Sequence, residues 1–133
     1  MKISKGIVEK IFNQGEKEKP CEACGYLAGR GDIIIKNYPM TNMDNSSEHF
    51  SLDPAEQFAV IRKIRQESLE LIAVYHTHPE TSARPSDEDI RLAFDRNIIY
   101  VIVSLATDKK DVKAFRVNKG QITEERLVIE EKN

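Results

Sequence analysis

The chain has 133 residues, 40% of them apolar and 32% charged, which fits a folded domain with a single core and excludes a disordered chain. Twenty basic side chains against 22 acidic ones give a net charge of -2, so polyphosphate is not attracted and nucleic acid is excluded as a principal partner. No apolar run approaches the roughly 18 residues of a membrane span, and the first segment lacks the apolar stretch of a secretion signal; the expectation is one cytoplasmic domain over 1–133.

Ile7, Ile11 and Phe12 predict a short amphipathic helix ending near Gly15. Gly25 to Gly29 and Ile33 to Tyr38 predict a hairpin that turns at Arg30-Gly31-Asp32, where glycine supplies a positive φ. The stretch from Asn37 to Ser51 contains Pro39, three asparagines, Ser46 and Ser47 and shows no period, so it is expected as a surface loop of functional length. Asp53-Pro54-Ala55-Glu56 predicts a helix start: Asp53 caps, Pro54 suits the first turn, and Glu56 completes a capping box. Phe58, Ile61 and Ile64 would be its buried stripe.

Leu71 to His76 and Ile98 to Leu105 are continuous apolar runs, expected as strands buried on both faces. Between them Ile90, Ala93 and Phe94 repeat at helical spacing and predict a helix from about Asp87 to Asp95. Strand, helix, strand in that order implies the α/β class. Val112 to Val117 and Gln121 to Ile129, separated by Asn118-Lys119-Gly120, predict a closing hairpin.

Chemistry is concentrated in His76-Thr77-His78-Pro79, followed by Ser86-Asp87-Glu88-Asp89. Residues i and i+2 of a strand share a face, so the two imidazoles can converge on one ion. Pro79 ends the strand. A chain reversal into a helix opening at Ser86 would bring the Asp89 carboxylate back towards the strand end. Two nitrogens and one oxygen would leave the fourth position of a tetrahedral zinc open to water, the pattern of a hydrolytic site.

This arrangement resembles the JAMM, or MPN-plus, metalloprotease family. Glu22-Ala23-Cys24-Gly25-Tyr26-Leu27-Ala28-Gly29 is similar to the family's upstream glutamate segment, and Phe50-x-Leu52-Asp53-Pro54 to its bacterial and archaeal members. The likeness covers about Glu22 to Leu105. It implies a JAMM/MPN-like α/β domain with a mixed central sheet flanked by helices, related in architecture to cytidine deaminase-like folds. It further implies that His76, His78 and Asp89 bind zinc, that Glu22 activates the attacking water, and that Ser86 assists at the oxyanion. The substrate implied is the C-terminal amide of a ubiquitin-like or sulfur-carrier protein, its tail held as an extended strand. Oligomeric state is left open.

Other readings stand beside this one. Ser86 and Asp89 also spell a helix capping box. Cys21 and Cys24, with His76 and His78, offer a Cys2His2 set that would close around a structural zinc and make a binding module, although 51 residues separate Cys24 from His76. A metal-free interaction domain is a further alternative. Pro20-Cys21-Glu22-Ala23-Cys24 matches half of a zinc deaminase signature, but that signature places H-x-E earlier in the chain. His49 lies in the irregular loop and is read as solvated.

Overall fold

A computed structural model describes residues 1–93, 95–108 and 111–131. The chain runs β1 (Lys2–Ser4), α1 (Lys5–Glu18), β2 (Cys24–Arg30), β3 (Ile33–Met40), α2 (Pro54–Gln66), β4 (Glu70–His78), α3 (Asp87–Arg91), β5 (Ile99–Ser104), β6 (Asp111–Asn118), β7 (Gln121–Glu125) and β8 (Val128–Glu130). The strands form one mixed eight-stranded sheet in the order β7-β6-β5-β4-β2-β3-β1-β8. β4 is parallel to β5 and antiparallel to β2. This is the expected α/β architecture of a mixed sheet flanked by helices.

Period-two alternation divides the apolar residues between the faces of the sheet. Leu27, Ala73, Tyr75, Val101 and Val103 pack on Ile7, Val8 and Ile11 of α1, while Tyr26, Ala28, Tyr38 and Val74 pack on Ile64 of α2. Only Arg126 and Leu127 separate β7 from β8, yet these strands are the two ends of the sheet. Three residue steps reach about 11 Å at most, so the sheet curls until its edges approach one another.

Several boundaries depart from the sequence expectation. Helix α1 starts where Ser4 Oγ accepts the Ile7 N–H and continues to Glu18, three residues past Gly15. Gly15 is a contact point rather than a stop: a Cβ there would lie 2.8 Å from Thr77 Cγ2 and 2.9 Å from Leu105 Cδ1. Strand β3 takes Asn37 to Met40 from the expected loop, because Tyr38 and Met40 bury against the α2 face. Helix α2 starts at the expected cap, but Phe58 is 74% exposed. The inward row is Gln57, Val60, Ile61 and Ile64, and Phe58 lies about 100° around the helix from Gln57.

Helix α3 stops at Arg91, short of Asp95. Asp95 begins a turn instead, accepting the Asn97 N–H on its side chain at 2.8 Å; Phe94 lies outside the described residues. The closing hairpin is β6 and β7, but its second arm ends at Glu125. β8 leaves to pair in parallel with β1, an edge that the apolar alternation alone does not distinguish from β6. Among the described residues no helix is long and apolar enough to cross a membrane.

One glycine in β2 is required by close approach. A Cβ on Gly25 would sit 2.3 Å from the Tyr38 carbonyl oxygen and 2.5 Å from Tyr75 Oη, and a backbone carbonyl in a sheet cannot swing aside. Gly25→Ala is expected to cost about 3 kcal/mol or more, the upper part of the range for overpacking, read as a lowered urea midpoint.

Candidate metal centre

Strand β4 delivers His76 and His78 to one face, with Thr77 on the other. Both imidazoles and Thr77 are at most 3% exposed. Pro79 ends the strand, and the chain then reverses under three restraints. Ser104 Oγ donates to the Thr81 carbonyl at 2.6 Å, the Leu105 N–H donates to the His78 carbonyl at 2.9 Å, and Ala83 buries against Ile102 and Phe115. This returns Ser86 to the strand end, where it caps α3. Ser86 Oγ accepts the Asp89 N–H at 3.0 Å, and the Ser86 N–H donates to Asp89 Oδ2 at 2.9 Å. The capping box therefore exists, and it fixes the Asp89 carboxylate.

Three ligand-type atoms meet at this point. His76 Nε2 and His78 Nε2 are 3.1 Å apart, and Asp89 Oδ2 lies 3.2 Å and 3.0 Å from them. The Ser82 carbonyl, 2.8 Å from His78 Nδ1, can only accept, so Nδ1 carries the proton and the lone pair of neutral His78 is on Nε2. That lone pair faces a carboxylate oxygen and a second imidazole nitrogen. With the His76 proton on Nδ1 the three atoms form a triangle of acceptors, which a cation between them stabilises, and tetrahedral ligands at about 2.0–2.1 Å from zinc stand about 3.3 Å apart, close to the observed edges.

Electrostatics follow the same geometry. Burial pulls the His76 pKa down, and this outweighs the hydrogen bond with Asp89. Burial also opposes the charged form of His78, but Asp89 and the Ser82 carbonyl leave its pKa raised. Burial of Asp89 is outweighed by the two imidazoles and the Ser86 N–H, which hold its carboxyl far below the usual range.

Glu22 comes from the segment before β2. The Ala23 N–H donates to Thr77 Oγ1 at 2.8 Å, and the Thr77 N–H donates to the Ala23 carbonyl at 2.9 Å. These bonds pin Glu22 beside β4, where its carboxylate and both imidazoles offer atoms within 4.8 Å of one another. Two triples of donors can thus be drawn, sharing the histidines. The Asp89 triple is the tighter, with every edge at or below 3.2 Å.

Burial pushes the Glu22 carboxyl up to about 8, against the pull of His78. A folded-state pKa above the ordinary 4.5 means that protonated Glu22 favours folding below about 4.5, and that this contribution is lost as pH rises through about 8. In metal-free protein the urea midpoint is expected to fall between about pH 5 and pH 8. Glu22→Gln should remove that component of the slope, and equal slopes in the two proteins would contradict the assignment.

The roles of two supporting residues are not apparent from sequence. Asn42, 4% exposed, donates to the carbonyls of Glu22 and His49 at 3.0 and 3.1 Å and accepts the N–H groups of Asp44 and Ser51 at 3.0 and 3.3 Å. It ties the irregular loop to the Glu22 segment. Phe50, from that loop, stacks on the His76 ring with centroids 4.9 Å apart. His76 Nδ1 has no hydrogen-bond partner, so the stack orients this ring where a carbonyl orients that of His78. His49 is not simply solvated: its Nδ1 is 2.8 Å from Asp44 Oδ2.

Among the described residues neither cysteine joins this donor group, although Cys24 pairs with His76 across β2 and β4. The Cys24 thiol is buried against the Met40 carbonyl, Sγ to oxygen 3.8 Å, and burial raises its pKa to about 12; Cys21 is half-buried and unpaired by disulfide.

Residues 4–118 match the family described as prokaryotic homologs of the JAB domain. The chain belongs to that family. As a prokaryotic JAB protein it is a hydrolase of the JAMM metallopeptidase type. It is 32% identical over 126 residues to the CysO-cysteine peptidase of Mycobacterium tuberculosis, covering 92% of this chain and 86% of that one. It is 30% identical over 110 residues to the desampylase of Pyrococcus furiosus, covering 82% and 76%. The solution structure of a Desulfitobacterium hafniense protein superposes with a TM-score of 0.91 at 38% identity, over 98% of this chain and 93% of that one.

Proposed function

We propose that this JAB protein is a zinc-dependent peptidase or isopeptidase, with residues 1–133 acting as one cytoplasmic catalytic domain. Its substrate is the amide at the C-terminus of a ubiquitin-like or sulfur-carrier protein. The observation that carries the metal assignment is the acceptor triangle of His76, His78 and Asp89, with edges of 3.0 to 3.2 Å. The substrate class is supported by the names of the relatives, a CysO-cysteine peptidase and a desampylase.

In this reading His76, His78 and Asp89 hold the metal. Zinc bound there would supply a Lewis acid and bring a water pKa to about 7. Glu22, whose carboxylate lies within 4.8 Å of the two imidazoles, takes the proton of the attacking water and returns it to the leaving amine. Its burial suits that task, since a carboxyl with a raised pKa can hold a proton near neutral pH. Ser86 Oγ accepts the Asp89 N–H, which leaves its own proton for the developing oxyanion.

The test combines zinc-edge X-ray absorption with hydrolysis of purified carrier adducts. Nitrogen and oxygen at about 2.0–2.2 Å, with no sulfur at about 2.3 Å, are expected, together with release of the carrier's free tail. Two sulfur ligands would place Cys21 and Cys24 on the metal and overturn the mechanism. Intact adducts under zinc loading would overturn the substrate class.

A further inference from the structure

A cavity of about 290 Å³ opens beside the donor triangle. His76 and Asp89 form part of its wall, so an occupant would lie directly against the reacting centre. Most of the remaining wall is apolar and comes from four separate parts of the chain, among them Phe50, Leu52, Leu92 and Ile102. We propose that this cavity is a subsite for one uncharged, apolar side chain of the substrate, from a residue flanking the scissile bond. The inference rests on the peptidase reading and extends it to specificity.

The argument turns on what the polar wall atoms already do. Gln57 Nε2 donates to Tyr26 Oη at 2.9 Å. His49 Nδ1 is held by Asp44 Oδ2 at 2.8 Å. Asp89 Oδ2 accepts the Ser86 N–H at 2.9 Å and is turned towards the two imidazoles. These groups have their principal partners inside the protein and the rest of the wall is apolar, so a charged side chain seated against Phe50, Leu52 and Ile102 would lose hydration that this part of the wall does not restore. An aliphatic side chain loses nothing polar and gains contact with Phe50, Leu52 and Ile102. Leu92 is 41% exposed immediately after α3, which leaves an apolar edge at the solvent side where such a group would enter.

Phe50 connects this subsite to the metal side. The ring that stacks on His76 also walls the cavity, so a side chain seated there presses on the residue that orients a metal donor.

Methyl NMR on the zinc-loaded, full-length protein tests the subsite without relying on turnover. The probes are N-acetyl amides of leucine, methionine, aspartate and lysine. The leucine and methionine amides are expected to shift the Leu52, Leu92, Ile102 and Val117 methyls saturably, and to bind at least about tenfold tighter than the charged amides, the discrimination an apolar pocket provides. Leu92→Trp, a change at an exposed edge that leaves the core intact, should abolish these shifts while preserving spectral dispersion. Silent methyls, equal binding of the charged amides, or unchanged binding to the tryptophan variant would each overturn the subsite. Hydrolysis of carrier adducts with silent methyls would sink the subsite alone, whereas methyl shifts without hydrolysis would sink the peptidase reading alone.

Discussion

Replacing Glu22 by glutamine is expected to lower turnover of a carrier adduct by about a hundred- to ten-thousandfold, the range for loss of a general acid–base group. The variant should keep its fold and its zinc. Glutamine has the shape of glutamate but cannot accept a proton and return it. The position is 2% exposed and Oε1 has no hydrogen-bond partner, so the native environment does not use this oxygen to hold the backbone together. What does hold the segment is main chain: Ala23 to Thr77, and the Glu22 N–H to the Ser46 carbonyl at 2.7 Å. Single-turnover kinetics with metal analysis of the same sample decide the matter. Activity within a few-fold of wild type would remove Glu22 from the proton path.

Asp89→Asn should behave differently, losing both metal and activity. Asparagine can still accept the Ser86 N–H through its side-chain oxygen, so the cap of α3 survives. The anionic donor does not. Even partners in the outer shell of a metal site typically contribute about 10- to 100-fold in affinity, so loss of a direct charged donor is expected to weaken zinc by at least about a hundredfold. Competition with a chromophoric chelator measures this. The pair of variants separates the two donor triples: if Glu22→Gln sheds zinc while Asp89→Asn retains it, the metal belongs to Glu22, His76 and His78 and the roles given to the two carboxylates are reversed.

The parts of this site that sequence reveals are those set by short-range geometry. His76 and His78 fall on one face because a strand alternates. Ser86 and Asp89 face each other because a helix N-terminus requires it, and both relations hold wherever the elements lie. Asn42 gives no such signal. Its side-chain bonds run to Glu22, Asp44, Ser46, His49 and Ser51 within an aperiodic loop, and an asparagine there reads like any turn residue. Phe50 was visible as part of a family-like run, but its stack on His76 depends on how the loop folds over β4. Phe58 misled because residues 57 and 58 both begin plausible helical rows, and only the tertiary packing chose between them. β8 misled for a similar reason, since a short apolar strand fits either free edge of a curled sheet.

The proposed metal donors lie thirteen positions apart in the chain, from His76 to Asp89, whereas Glu22 is brought to them through a contact 54 positions long, between Ala23 and Thr77. In the proposed mechanism ion capture and reactivity therefore depend on different portions of the molecule. Damage that loosens α1 from the Gly15 contact with Thr77, or frays the segment ahead of β2, can yield protein that is fully loaded and inert. Stoichiometric zinc in a purified batch would then certify the β4 to α3 hairpin and say nothing about the fraction of molecules able to turn over. Relatives could likewise lose catalysis while keeping the ion, without passing through an unfolded intermediate form.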